Sequence, residues 1–256
     1  MRIERMTHAG LNGFPEVLRV DYRSPKDGYA DWTLVRPSER AELWVVCLHG
    51  HGSHGDQLYT RPDIRDWWLS RFLQHRIGIL TPNLRDNAWM GPAAAADLHE
   101  LLAWTRNQYR VKRFLFFSGS MGGTGNLIYA VLHPDDVAAA VALGAASDLA
   151  SYRRWCRTQQ GGVVHEIADA IEESYGDHAD LYHRHSPLKH ASKLTMPVYL
   201  AHGADDAIIP VDQSQRLANA MAGRPNFIYR EIPSGDHDSP LADGDAFDWA
   251  IARLEA

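Results

Sequence analysis

The chain has 256 residues, 45% of them hydrophobic and 23% charged, which is typical of a globular protein that is long enough to bury a core. Its formal net charge of −6 argues against nucleic acid or an anionic membrane as the main partner. The N-terminus lacks the apolar segment of a secretory signal and no apolar run approaches membrane-spanning length, so we expect a soluble cytoplasmic protein.

Short apolar segments alternate with helical patterns along most of the chain. An opening antiparallel pair is predicted within residues 18–35, where LRVDY and DWTLV alternate polar and apolar residues. Further strands are predicted at 43–48, 77–80, 114–117, 137–143, 197–202 and 226–232, although the alanines of 137–143 would also suit a helix. Helices are predicted at 63–76, 92–109, 122–132, 212–222 and 245–254.

This alternation predicts an α/β fold with a mostly parallel central sheet and helices on both faces. The segment 151–185 interrupts the alternation of strands and helices, because it is polar, helical and rich in Arg, His, Glu and Asp. We interpret it as a small helical insertion over the carboxyl edge of the sheet, within a single domain that spans residues 1–256.

A predicted strand runs into Ser118-Gly119-Ser120-Met121-Gly122 and out into a helix, which is the pattern of a nucleophile elbow. The nucleophile of such a turn is strained, so the residues two before and two after it must be small. Ser120 meets this condition with Ser118 and Gly122. Ser118 does not, because Phe116 precedes it by two positions.

Two more polar loops follow predicted strands. HGADDAIIP places Asp205 and Asp206 after one strand, and SGDHDSP places His237 after the next. The order Ser120, Asp206, His237 is the Ser, Asp, His order of this kind of fold. We therefore predict Ser120 as nucleophile, His237 as general base and Asp206 as the acid that orients His237, with Asp205 as a turn residue.

The glycine-rich loop LHGHGSHG, residues 48–55, follows the strand at 43–48. A carbonyl under attack needs fixed N–H donors for its oxyanion, and we predict the backbone N–H groups of Met121 and His51, with Gly52 as a weaker alternative. The alternative of a metal site at His49, His51, His54 and Asp56 does not match structural zinc spacing. No metal or cofactor is required for the predicted chemistry.

The motifs LHGHG, SGSMGG, TMPVYLAHGADDAIIP and SGDH together resemble the α/β-hydrolase superfamily. They look most like the catalytic domain of prolyl oligopeptidases and like dienelactone-hydrolase-like carboxylesterases, from about residue 43 onward. The resemblance implies the α/β-hydrolase fold and assigns the acid to Asp206. Prolyl oligopeptidases carry a large N-terminal propeller, and the roughly 40 residues before the core strand leave no room for one.

The expected reaction is hydrolysis of small-molecule carboxylic esters with small to medium acyl groups through an acyl-enzyme. The alternatives are a peptidase or amidase acting on short peptides and a hydrolase-fold binding protein without turnover. Trp89 and Met90 follow a predicted strand on the same edge as the triad. They are predicted either to line the acyl pocket or to pack as apolar side chains against the helix that begins at Pro92.

Overall fold

The computed structural model describes residues 1–38 and 42–255, which form one nine-stranded sheet with helices packed against it. The predicted extent of 1–256 includes residues 39–41 and 256, which lie outside the described residues. The strands are β1 (Arg2–His8), β2 (Leu18–Arg23), β3 (Ala30–Arg36), β4 (Leu43–Val46), β5 (Gly78–Pro82), β6 (Arg113–Gly119), β7 (Ala139–Leu143), β8 (Val198–Gly203) and β9 (Phe227–Ile232).

The spatial order of the strands is β1-β2-β3-β5-β4-β6-β7-β8-β9. The six strands from β5 to β9 in this order are parallel, whereas β1, β2 and β3 pair in antiparallel fashion and β3 joins β5 antiparallel. The predicted parallel sheet and its antiparallel opening pair are therefore confirmed. The alanine-rich segment is strand β7, because it lies fully buried between β6 and β8.

Strand β1 is not among the strands predicted from the sequence. This strand carries Arg2, Glu4 and Arg5 and is exposed along most of its length. Charged residues are common on edge strands, where they discourage pairing with other chains, but they hide the periodic apolar signal of a strand.

The helices are α1 (Gln57–Thr60), α2 (Pro62–Ile64), α3 (Ser70–Gln74), α4 (Pro92–Tyr109), α5 (Ser120–Leu132), α6 (Leu149–Thr158), α7 (Val163–Tyr175), α8 (Ala179–Arg184), α9 (Asp212–Ala220) and α10 (Asp245–Glu255). A π-helical turn, Arg65–Leu69, joins α2 to α3. Helices α6 to α8 fall between β7 and β8, in the segment predicted as an insertion. Within the described part of the chain, no helix is both long and apolar enough to cross a membrane.

Successive side chains of the central strands enter two separate cores. On β6, Phe114 and Phe116 pack with α4 and α5, while Leu115 and Phe117 pack with α10 and the helical segment around the π turn. Both faces of the sheet are thus covered by helices. This explains why the central strands are apolar at every position rather than at alternate ones.

Candidate functional site

Ser120 lies at the junction of β6 and α5, at the carboxyl edge of the sheet. Its φ is +56°, in the left-handed region that a residue with a side chain adopts at a cost. The turn is held by close backbone packing, because a Cβ placed on Gly122 would lie 2.3 Å from the carbonyl oxygen of Leu48. Glycine at this position therefore lets α5 start directly against the end of β4.

Ser118 is buried below the turn and does not face the site. Its Oγ accepts a hydrogen bond from the Leu48 N–H at 2.8 Å and lies 3.2 Å from Asn126 Oδ1. These contacts tie β6 to the end of β4. They give Ser118 a structural place in the elbow.

The side chains of Ser120, His237 and Asp206 form one hydrogen-bonded chain. His237 Nε2 lies 2.9 Å from Ser120 Oγ, and His237 Nδ1 lies 2.7 Å from Asp206 Oδ2. Asp205, by contrast, is exposed, and its backbone N–H donates to the carbonyl of Gly235. The structure thus brings together the three residues predicted as a triad and leaves Asp205 in the turn.

The environment of Asp206 favours its carboxylate form. Burial by itself would raise its pKa, but hydrogen bonds from His202, His237 and the Ile209 N–H hold the pKa of Asp206 well below its ordinary value. His202, which is fully buried, places its Nε2 3.2 Å from Asp206 Oδ2. Asp206 is therefore a buried anion positioned to accept the Nδ1–H of His237.

Some of the backbone N–H groups near Ser120 already have a hydrogen-bond acceptor, whereas others have none. The Gly50 N–H donates to Gln57 Oε1 and the Gly52 N–H donates to Asn87 Oδ1, at 2.9 and 2.8 Å. The N–H of His51, between them, has no acceptor among the described residues. Met121 lies in the first turn of α5, where backbone N–H groups have no acceptor within the helix.

A cavity of about 170 Å³ opens above Ser120 and His237. Six apolar side chains contribute to its lining: Ile64, Trp68, Val163, Ile167, Ile208 and Leu241. The cavity is comparable to an engineered protein cavity of about 150 Å³ that holds benzene. It therefore has room for a small apolar group next to the Ser120 hydroxyl.

The structure does not bring Trp89 or Met90 into this cavity. Both are buried, with exposed fractions of 1% and 5%, and their carbonyl oxygens lie 3.1 and 3.0 Å from the Tyr175 hydroxyl. Trp89 lies behind His51, and its Nε1 donates to His51 Nδ1 at 3.3 Å. Trp89 and Met90 do lie at the carboxyl edge of the sheet, as their position after a predicted strand indicated. Their side chains, however, pack into the core and not into the cavity.

Trp68, and not Trp89, lies in the cavity wall, so the packing alternative of the two predicted for Trp89 describes its position. The Nε1 of Trp68 donates to the Leu241 carbonyl at 2.8 Å, while its neighbour Trp67 is 52% exposed. Ile64, Trp68 and Phe72 are all buried and follow one another at four-residue spacing, so Trp68 lies on the inward face of the helical segment that contains the π-helical turn.

The histidine-rich loop does not assemble metal ligands. Both ring nitrogens of His49 lie 2.8–2.9 Å from backbone carbonyl oxygens, and His54 Nδ1 pairs with Asp86. In the described ranges, one group has the spacing to hold a metal ion: His99, His133 and Asp136, whose candidate ligand atoms lie within 4.8 Å of one another. It lies between α4 and the end of α5, outside the cavity lining.

Comparison with solved structures finds many chains of the same fold. FphF, a fluorophosphonate-binding serine hydrolase of Staphylococcus aureus, superposes with a TM-score of 0.69 and 17% identity over 93% of this chain and 98% of its own. An S-formylglutathione hydrolase from Agrobacterium tumefaciens gives a TM-score of 0.71 and 15% identity, over 99% and 100% of the two chains. A puromycin-hydrolyzing peptidase from Mycobacterium tuberculosis gives 0.66 and 20%, over 91% of this chain but only 38% of its own.

Comparison with curated protein sequences finds no match. The BD-FAE protein family, by contrast, matches residues 88–221, which is more than half of the chain. This segment includes Ser120 and Asp206 and ends before His237. The fold and this match lead to one conclusion: the chain belongs to the BD-FAE family and has an α/β-hydrolase-type domain.

Proposed function

We propose that this protein is a serine hydrolase that cleaves carboxylic esters with small to medium acyl groups. The observation that carries the proposal is the hydrogen-bonded chain from Asp206 through His237 to Ser120. A hydroxyl is a weak nucleophile until a neighbouring base takes its proton, and that base must be held in one tautomer by a third group.

In the proposed reaction, His237 Nε2 accepts the Ser120 proton as Oγ attacks the ester carbonyl. The tetrahedral oxyanion receives hydrogen bonds from the N–H groups of Met121 and His51. The alcohol then leaves with the proton from His237, and an acyl-enzyme remains on Ser120. A water molecule, deprotonated by His237, attacks this ester, releasing the acid and restoring the Ser120 hydroxyl.

The size of the substrate follows from the cavity beside Ser120. It measures about 170 Å³, and six apolar side chains line it alongside the polar Gln57, Arg61 and Asp238, which favours a short or compact acyl group. A long chain would extend beyond the cavity and gain little further contact. Every group that the mechanism uses is a side chain, a backbone N–H or water.

A peptidase acting on short peptides is the second candidate. It is favoured by the likeness to the puromycin-hydrolyzing peptidase, of which this chain covers 38%. The chemistry at Ser120 would be the same with an amine as the leaving group. A binding protein without turnover is the third candidate, and an acid, base and hydroxyl in one hydrogen-bonded chain argue against it.

A fluorophosphonate probe and a substrate panel test these candidates. We expect the probe to label one residue, identified as Ser120 by peptide mass spectrometry, and a two- to six-carbon p-nitrophenyl ester to be the preferred substrate. Faster cleavage of aminoacyl anilides than of these esters would indicate the peptidase. A folded protein that neither reacts with the probe nor hydrolyses any member of the panel would contradict both enzymatic candidates.

A further inference from the structure

The contact between Trp89 and His51 determines which ring nitrogen of His51 carries a proton. The indole N–H of Trp89 is a donor only, and it lies 3.3 Å from His51 Nδ1. Nδ1 must therefore act as the acceptor. In a neutral imidazole this places the proton on Nε2, so His51 presents an Nε2–H donor.

The surroundings of Trp89 and His51 keep this arrangement fixed. Trp89 is 1% exposed, and its carbonyl oxygen contacts the buried hydroxyl of Tyr175. Burial lowers the pKa of His51, although the nearby Glu166 carboxylate acts in the opposite direction. A proton added to Nδ1 would also point at the indole N–H, so the neutral ring is the form compatible with this contact.

His51 stands between two cavities of different character. One is the cavity at Ser120, which six apolar side chains line together with Arg61 and Asp238. The other is a polar cleft of about 630 Å³ lined by Arg85, Asn87 and four carboxylates: Asp86, Glu166, Asp169 and Glu173. His51 lines both, and its Nε2 has no hydrogen-bond partner among the described residues. The ring thus offers one fixed donor at the boundary between the cavity at Ser120 and the polar cleft.

We propose that the polar cleft receives the alcohol portion of the ester, and that His51 Nε2–H donates a hydrogen bond to a second oxygen on that alcohol. Trp89 is a positioning residue that holds the donating tautomer. The preferred substrates are then esters of alcohols that carry a hydroxyl or ether oxygen near the ester bond. This proposal rests on the proposed ester hydrolysis at Ser120, which the fluorophosphonate probe tests separately.

Three esters of matched shape test where the second oxygen is recognised. Propyl butyrate is the reference, 2-hydroxyethyl butyrate carries an oxygen on the alcohol side, and propyl methoxyacetate carries one on the acyl side. The quantity measured is kcat/KM for each oxygen-bearing ester relative to propyl butyrate. Comparing this ratio between wild type and variants cancels the intrinsic reactivity of each ester.

We expect His51→Leu to lower the ratio for 2-hydroxyethyl butyrate by about three- to tenfold, the effect of one hydrogen bond between neutral partners. His51→Gln places an amide N–H near the position of Nε2 and should restore most of the ratio. Both variants keep the backbone N–H of residue 51. The ratio for propyl methoxyacetate should not respond to either change.

Trp89→Phe tests the positioning role, with Trp44→Phe as the matched control. Trp44 is also fully buried, but its Nε1 has no partner among the described residues, so this change removes similar volume and no hydrogen bond. We expect Trp89→Phe alone to lower the 2-hydroxyethyl ratio. In ¹⁵N-histidine NMR spectra it should convert His51 from the Nε2–H tautomer to a mixture, with the His51→Gln spectrum assigning the signal.

Several outcomes would overturn the proposal. An unchanged 2-hydroxyethyl ratio in His51→Leu would exclude the donor, and a response of the methoxyacetate ratio instead would place the acyl group in the cleft. An Nδ1–H tautomer in the wild type would exclude the role of Trp89. If the wild type labels with fluorophosphonate and hydrolyses propyl butyrate, each of these results contradicts this proposal and leaves the ester hydrolase intact.

Discussion

The loops that carry the proposed triad and the helices that cover them are built in different ways. At the sheet edge, a Cβ on Gly122 or Gly203 would lie within 2.3 Å of a backbone oxygen, and Asp206 is buried among four hydrogen-bond donors. Helices α6 and α7 also bury an apolar face in the core, but their outer sides are joined by exposed ion pairs, such as those of Arg157 with Asp169 and Glu172.

This difference indicates how each region responds to substitution. Positions at the edge have one acceptable backbone arrangement, because neighbouring strands contact them from several sides. The exposed charged positions of the helical cover tolerate change, since exposed charged pairs contribute little to stability. We therefore expect the edge to determine whether chemistry occurs and the cover to determine which acyl group is accepted.

The largest effect is expected at the elbow itself. Ser120→Ala removes the proposed nucleophile and should lower kcat by at least about a thousandfold and abolish fluorophosphonate labelling. Ser118→Ala is the control, because it keeps a small residue two positions before Ser120 while deleting the bonds to Leu48 and Asn126. It should lose thermal stability but retain labelling. Labelling that survives in Ser120→Ala would place the nucleophile elsewhere.

The next largest effect is expected at the acid. Asp206→Asn removes the anion that holds the Nδ1–H of His237, and kcat should fall on the order of a thousandfold. Asp205→Asn alters an exposed side chain in the same loop and should change kcat little. Circular dichroism of both variants checks that the fold survives. Equal losses in the two variants would show that the hydrogen-bonded arrangement does not report the functional acid.

A smaller, selective effect is expected in the cover. Ile167 lines the cavity, whereas Ile171, one turn later on α7, is equally buried but does not. Either change to Ala should cost about 2–5 kcal/mol of unfolding free energy. Ile167→Ala alone should move the preferred p-nitrophenyl ester to longer acyl chains, by up to about fourfold in kcat/KM per methylene, which corresponds to about 0.8 kcal/mol. A similar shift in Ile171→Ala would show that general loosening is the cause.

The smallest effect is expected for the ion pairs between α6 and α7. Arg157→Gln removes contacts to Asp169 and Glu172 at an exposed position, so Tm and acyl preference should change little. Added salt should reduce the remaining difference in Tm further, because it screens exposed charges. A large loss of activity here would mean that the ion pairs hold the cavity wall in place.

The sequence predicted the central strands and the order of the three polar residues because both follow from local patterns. Residues 114–117 are apolar throughout because both faces of the strand are buried, and the turn after them must be small-residue rich because α5 starts against β4. Strand β1 was not predicted, because an exposed edge strand has no buried face to impose an alternation of apolar and polar residues.

The lining of the cavity could not be predicted in the same way. Trp89 and Trp68 both follow patterns that fit either a core or a pocket, and the choice depends on contacts with Tyr175 and Leu241, which are far away in the sequence. Ile64, Trp68 and Phe72 share one buried helix face, and that spacing by itself does not distinguish a core position from one in a cavity wall.

The sequence by itself determined the alternation of strands and helices, the small residues around Ser120 and the loops that hold Asp206 and His237, because each depends on backbone geometry within a few residues. The tertiary structure alone decided which aromatic side chains face the cavity and which nitrogen of His51 meets Trp89. Those outcomes depend on how distant segments share space in a close-packed interior, and short-range periodicity does not carry that information.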